Sequence, residues 1–345
     1  MNWRNYIALK NDASAEFWGE EYNHSNYDGV DSLLIDVKEV IPNGDGFLII
    51  KNDDTLFPIG NSDLNTGVYE LEGELVNIES AVGTNKSFAA LREDDVAIFW
   101  ANEGSHIEPN IKSLHSAWHS IVAIRNDGSL FGFEYGSLLE SGHPTQLNDV
   151  QSLAFNDWAW AALKGNKTIY TWGRDVYGGN SQDVQDQLVG VKSIHATAEA
   201  FAALLENGTV VTWGNQNLGG NSDYVQDELY DIQSLHASAF GFIALRGDGK
   251  AIRWHNGTYK IIDNVVSVLS TDSYNEDAVL IRSDGNALVF DDTIEDFKSI
   301  AFVANGYIAL QNNGELVAKG DVMSLHHADL LPRQFLIADT YISPK

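Results

Sequence analysis

Cysteine is absent from the 345 residues, which rules out disulfides, cysteine-ligated zinc and thiol nucleophiles and leaves the redox compartment open. No apolar run approaches the roughly 20 residues that a membrane-spanning helix needs. The start, MNWRNYIALKNDASAEFWG, lacks the basic-then-apolar pattern of a signal peptide, so the expectation is a cytoplasmic protein or one released without a recognisable signal. Basic residues are scarce: 21 Lys and Arg face 49 Asp and Glu, a net charge of −28. That deficit argues against nucleic-acid backbones and against anionic membrane surfaces. It suits solubility alone, or a cationic partner. Catalytic signatures are missing too: no G-x-S-x-G, H-E-x-x-H, Walker loop or calcium-loop pattern occurs. The expectation is therefore a non-enzyme without metal or cofactor. With 44% hydrophobic and 20% charged residues, the chain reads as globular rather than disordered.

What the sequence does contain is one sentence written repeatedly. FAALLENGTVVTWG, from Phe201, returns 41 residues later as FIALRGDGKAIRWH. The pattern is an apolar pair, a short polar turn with Asn/Asp-Gly, then an apolar run ending in an aromatic. It begins at Ala8, Ile49, Ala90, Ala123, Ala162, Ala203, Ala244, Leu280 and Ala309, nine copies in all. A second short motif runs ahead of it: VKSIH from Val191, with IESAV, IKSLH, VQSLA, IQSLH and FKSIA at the same offset in other copies. VKEVI at Val37 fits, VVSVL at Val265 fits with three extra residues, and VMSLH at Val322 stands near the end.

Each unit thus predicts three strands: a (V-x-S-I-x), b (F-x-A-L) and c, which ends at the aromatic-Gly pair. Asn-Gly or Asp-Gly between apolar runs marks a hairpin whose central residues tolerate positive φ. Ala13, Asp54, Asp95 and Lys167 stand where other copies have Gly. Strand b is apolar on both faces, so it must be covered on both. Small sheets of this kind bury one another by stacking, and closing the stack into a ring removes its open ends. The expected fold is all-β, a closed propeller of nine three-stranded blades in a single domain spanning 1–345. Its units lie at about 1–36, 37–77, 78–110, 111–149, 150–190, 191–231, 232–264, 265–296 and 297–321, with 322–345 closing the ring. In that scheme the strand at Val322 pairs with the N-terminal strands, Arg333–Ile342 is left over for an outer position, and the c-to-a connectors are irregular outer edges. The short DDTIED at Asp291 is just long enough for a strand.

A-L-x-x-D-G-x-V-x-x-W-G with V-x-S-I ahead of it resembles the repeat of the RCC1-like propeller superfamily. The short period is similar to that of its bacterial branch, which includes the β-lactamase inhibitory protein with three-stranded blades. The match is specific from about Ile111 to Trp254 and weaker, though in register, elsewhere. It differs from WD40 repeats, since the strand ends W-G rather than W-D, and from kelch repeats, whose period is longer. The resemblance implies a propeller with a binding role. Family members include exchange factors, light sensors and enzyme inhibitors, but no basic tail, long wedge-like insertion or G-W-R-H-T motif transfers those functions here.

Trp18, Trp100, Trp172, Trp213 and Trp254 share one repeat position and read as core, as do the aromatics three residues before the strand-b leucine. Trp118 and Trp158 fall in a-to-b loops, near positions held elsewhere by Ala198 and Ala239. Phe240 and Tyr274 lie in the same kind of loop, with His119, Asp157, Glu199, Asp272, Glu276 and Asp277 around them. Aromatics within an acidic rim suit a basic protein partner, against the alternative that they cap the ring. His115, His195, His236 and His326 share a strand-a position that Ile41 and Leu269 also occupy, so packing is favoured over metal ligation. The recurring serines, Ser193 among them, read as structural, having no histidine beside them as base. Asn207-Gly-Thr and Asn256-Gly-Thr match a glycosylation acceptor, and turn chemistry accounts for both.

The expected function is a monomeric, non-enzymatic protein-binding scaffold: an inhibitor, immunity factor or effector-type protein using the a-to-b loop face. A lectin or adhesin that binds glycans through the loop aromatics is the alternative. An exchange-type regulator or unrecognised hydrolase is third.

Overall fold

The structure is a computed structural model, and it describes residues 5–10, 12–19, 34–42, 46–60, 71, 73–84, 86–101, 104–117, 120–134, 137–138, 144, 147–269, 278–289, 292–303, 306–320 and 335–337. Among these residues the chain forms nine small antiparallel sheets. It divides into two compact units, Met1–Asn148 with His327–Thr340 and Asp149–His326 with Tyr341–Lys345, and the division falls at a repeat boundary.

The first unit holds four sheets. The first consists of Asn5–Lys10, Ala15–Gly19 and Phe335–Ile337. The second is Val37–Pro42, Gly46–Lys51 and Leu56–Gly60. The third is Ile78–Gly83, Ser87–Arg92, Ala97–Ala101 and Gly104–Glu108. The fourth is Ile111–Ser116, Ser120–Arg125, Leu130–Glu134 and Ser137–Leu138. The second unit holds five. These are Val150–Phe155, Ala159–Lys164 and Ile169–Gly173; Val191–Ala196, Ala200–Leu205 and Val210–Gly214; then Ile232–Ala237, Phe242–Arg246, Ala251–His255 and Thr258–Ile262. Val265–Leu269, Val279–Arg282, Ala287–Val289 and Asp292–Ile294 form the eighth sheet, and Phe297–Val303, Gly306–Gln311 and Leu316–Gly320 the ninth.

Strand b is paired on both edges in every sheet, and where its burial is described its apolar residues are covered on both faces, as expected. Ala200–Leu205 is buried along its whole length. One face packs toward the preceding sheet, where Phe201 and Ala203 meet Ala161 and Ile169. The other packs toward the next, where Ala202 and Leu204 meet Phe242 and Ile252. The same relay links the second sheet to the third and the third to the fourth within the first unit.

Three features depart from the three-stranded expectation. Four of the nine sheets carry a fourth strand, d, formed from the connector to the next sheet, which is short in the third, seventh and eighth. Asp292–Ile294 is one of these, so the segment thought just long enough for a strand becomes one. The two described long connectors are not irregular. Each folds into a pair of 3-10 helices, Asp175–Tyr177 with Gln182–Gln187 and Gln216–Leu218 with Asp223–Glu228. There a glutamine replaces the missing strand: Gln185 Nε2 donates to the Ile169 carbonyl and Gln226 Nε2 to that of Val210, both at 3.1 Å. The strand at Val322 lies outside the described residues. Beside Asn5–Lys10, in the strand-a place, stands Phe335–Ile337, with Leu336 opposite Leu9. The segment assigned to an outer position thus supplies the inner strand.

The b-to-c turns behave as the repeat implies at one residue and differently at the other. Ala13, Asp54, Asp95, Lys167 and the equivalent Gly208 and Gly249 all have positive φ. Asn207 does not, so only one left-handed residue is needed. Leu205 N donates to Thr209 O and Gly208 N to Leu205 O, the pattern of a type I turn followed by a left-handed residue. Asn207 is selected instead by its Oδ1, which accepts from Thr209 N and Oγ1. Asn256-Gly257, by contrast, has positive φ at both residues and joins strands c and d of the seventh sheet.

At seven junctions the left-handed turn residue also ties one sheet to the next. Its carbonyl accepts the first N–H of the following strand a: Val37 to Ala13, Ile78 to Asp54, Ile111 to Asp95, Val191 to Lys167, Ile232 to Gly208, Val265 to Gly249 and Phe297 to Gly285. These main-chain bonds satisfy groups that would otherwise be stranded at a sheet corner.

Candidate interaction face

In the third, fifth, sixth and seventh sheets the a-to-b loop is a two-residue tip held in a fixed frame. A buried small polar residue opens each of these four, Thr84, Asn156, Thr197 and Ser238, where the fourth sheet has Ala117. Its N–H donates to the carbonyl at the start of strand b, as from Thr197 to Ala200 at 2.9 Å and from Ser238 to Gly241 at 2.9 Å. Asn156 Oδ1 accepts from Trp158 N and Ala159 N, and Thr197 Oγ1 from Ala200 N. The sequence reading missed these framing residues. Their signal is a small polar residue at a constant offset ahead of strand b.

The frame places the tips in register. Asp157, Ala198 and Ala239 hold the first tip position, and Trp158, Glu199 and Phe240 the second. Trp158 is therefore the counterpart of Glu199 and Phe240, not of the alanines. Trp158 and Phe240 are 38% and 40% exposed, unlike the paired strand aromatics Phe201, Trp213, Phe242 and Trp254, which are buried. Ala198 N donates to Ala239 O, linking two tips directly. Trp118, His119, Tyr274 and Glu276, like Asp272 and Asp277, lie outside the described residues.

Two of the tips are supported by the residue two past the strand-c tryptophan. The Arg174 guanidinium lies 4.3 Å from the centre of the Trp158 ring, and Tyr177 packs on that ring at 5.7 Å. Asn215, in the same place of the next sheet, donates to Glu199 Oε2 at 2.5 Å. The main chain repeats with them: Arg174 N donates to Trp158 O and Asn215 N to Glu199 O, both at 2.9 Å. Identical backbone with different side chains is what a recognition position on a repeat scaffold requires.

The tryptophans assigned to the core are buried at Trp100, Trp213 and Trp254, while Trp172 is half-buried and stacks on Trp160. Trp213 Nε1 donates to Gly178 O and Trp254 Nε1 to Gly219 O, so these indoles hold down the preceding connector as well as filling space. Gly178 and Gly219 must be glycine there. Both have φ of 94°, and a Cβ on Gly178 would stand 2.4 Å from the Phe201 ring.

One expectation about strand a is corrected. Ser113, Ser193 and Ser234 do have histidine beside them: the Nε2 of His115, His195 and His236 lies 3.0 Å from each Oγ, because residues i and i+2 share a strand face. Burial pushes His115 and His195 down to about 4 and lowers His236. Such imidazoles are neutral and poorly basic at neutral pH, and three copies of the pair point to a structural hydrogen bond. His326 lies outside the described residues. No group of three or more metal-ligating side chains occurs among the described residues.

Charge separates the two ends of the sheets. Strand b finishes in Lys51, Arg92, Arg125, Lys164, Arg246 or Arg282, and strand a opens with Lys38, Lys112, Lys192 or Lys298, so cations gather at the b-to-c turn end. There they meet carboxylates: the buried Arg246 pairs with Asp248 and Glu228 over the Tyr230 ring.

No protein-family model and no curated protein matches the chain. Among solved structures it is similar to human WBSCR16 at 10% identity and TM-score 0.44, covering 77% of this chain and 97% of that one. Yeast RCC1, or Prp20, solved bound to Kap60, follows at 13% identity and TM-score 0.40, covering 76% and 72%. BamB from Moraxella catarrhalis matches at 11% and TM-score 0.41, covering 81% and 95%. The structure itself shows a repeat of small antiparallel sheets with recurring turns, strands and sheet-to-sheet bonds, in which the resemblance to RCC1-like propeller repeats has its counterpart.

Proposed function

We propose that the protein is a non-enzymatic scaffold whose nine sheets close into one propeller domain and whose a-to-b loop tips bind a protein partner, as an inhibitor, immunity factor or effector does. The observation that carries this reading is the pairing of exposed Trp158 and Phe240 at one tip position of a frame otherwise held constant. Folding gains little from leaving such rings in water, whereas aromatic residues dominate binding hot spots. The acidity of the whole chain favours a basic partner.

A photo-crosslinking residue placed at Trp158 and Phe240, and separately at the exposed Val189 and Tyr230 of the other end, tests the assignment in native extract. Specific adducts are expected from the first pair only, and W158A/F240A is expected to abolish capture while leaving the melting temperature nearly unchanged. Adducts from Val189 and Tyr230 alone, or collapse of stability in the double variant, would refute the face.

A further inference from the structure

The repeat contains a worked example of what its tip aromatic receives. On Trp158 a guanidinium of the same chain, Arg174, lies over the ring at 4.3 Å. Phe240 holds the equivalent tip position, but the residue two past its strand-c tryptophan is Asn256, not arginine. The chain also leaves by another route there. Asn256 N donates to Asn217 O, and Asn256-Gly257 turns back into the fourth strand Thr258–Ile262.

A coupled exchange permits that route. In the fifth and sixth sheets a strand-c glycine faces the Ala that opens strand b: Gly173 faces Ala159 and Gly214 faces Ala200. In the seventh sheet His255 takes the glycine's place and Gly241 takes the alanine's. A Cβ on Gly241 would stand 2.4 Å from Trp254 O and 2.8 Å from His255 Cβ. Among the described residues no cation and no aromatic ring packs on Phe240, which is 40% exposed. The neighbouring tip, tied to it by the Ala198–Ala239 bond, presents the carboxylate of Glu199.

We propose that Phe240 and Glu199 form a receptor for an arginine side chain of the partner, whose guanidinium takes over Phe240 the place that Arg174 takes over Trp158. This rests on the loop tips being the binding face. An aromatic face attracts a guanidinium through its quadrupole, and a nearby carboxylate adds charge and hydrogen-bond acceptors. Arginine suits the place better than lysine, because its planar head stacks.

The probe is an octapeptide of alternating Gly and Arg, against a counterpart with citrulline for arginine, titrated into the full chain carrying 4-fluorophenylalanine at residue 240. The arginine peptide is expected to shift the fluorine resonance, and the citrulline peptide is not. Phe240→Leu is expected to weaken peptide binding about two- to fivefold. Glu199→Gln should weaken it further, and Asn256→Arg, which supplies the missing guanidinium from within, should block it. Equal response to citrulline, unchanged affinity in Phe240→Leu, or an equal shift of a fluorine label placed at residue 230 would overturn the proposal, the last by showing attraction to the acidic surface at large. If crosslinking at residue 240 captures a partner without exposed arginine, the face stands and the arginine receptor falls. If the peptide binds Phe240 while crosslinking there captures nothing, the receptor stands and the protein-partner reading falls.

Discussion

Gly208 shows how much of this molecule is decided one residue at a time. Its φ of 80° lies where an L side chain is strained, and a Cβ would stand 3.2 Å from Asp231 Cα and Ile232 N. Gly208→Ala is therefore expected to lower stability by about 1 kcal/mol or more, read as a shift in the urea midpoint at unchanged slope. The opposite change at the same repeat position, Ala13→Gly, relieves a φ of 61° and should raise the midpoint or leave it in place. If Gly208→Ala is neutral, the left-handed turn does not hold the sheets together. These positions were legible because nine copies of the turn lie in one chain and the second residue of the Asn/Asp-Gly pair is left-handed at every described b-to-c turn that has it. The role of the Asx side chain, which binds Thr209 rather than adopting positive φ, was not legible, since both roles select the same residue.

At the scale of the element, the c-to-a connector is where sequence and structure diverge. Polar segments look alike whether they become a fourth strand or paired 3-10 helices; the shortest, such as that of Asp292–Ile294, form strands, while a long one can do either. The N-terminal sheet was misread for a related reason. Val322 carries the strand-a pattern, whereas Phe335–Ile337, which takes the place beside Asn5–Lys10, is an apolar triplet without repeat signature. The loop tips were found by their aromatic residues, but their register was not, because the framing Thr, Asn and Ser look like ordinary loop composition. Where connector and blade meet, Trp213→Phe shrinks the ring that stacks on Phe201 and removes the bond to Gly178 O. It is expected to cost about 1–3 kcal/mol or more, by leaving a buried carbonyl unpaired and part of the indole's space unfilled, measured by thermal or urea unfolding. A loss within about 0.3 kcal/mol would mean that neither the bond nor the bulk of the indole supports the connector.

For the molecule as a whole, pH and salt act through the net charge and the strand-a histidines. His195 takes up its proton near 6.5 in the unfolded chain but only near 4 when folded. The unfolded state therefore binds more protons between those values, so this contribution to stability is complete above about pH 6.5 and is lost as pH falls toward 4. His195→Leu is expected to flatten that part of the profile relative to the parent, by at most about 1.4 kcal/mol per pH unit. Parallel profiles would show that the imidazole does not resist protonation. With a net charge of −28, added salt should screen self-repulsion and raise the melting temperature between low and moderate ionic strength. A falling melting temperature would mean that ion pairs such as Arg246 with Glu228 outweigh the repulsion.

The seam from one sheet to the next, a main-chain N–H given to a left-handed carbonyl, asks nothing of side chains beyond their fit. A duplicated stretch of one period would find a matching socket before it and offer one behind it. Lineages built on this seam can lengthen or shorten by whole cassettes, and the tip residues of each new cassette are free to drift toward a new target.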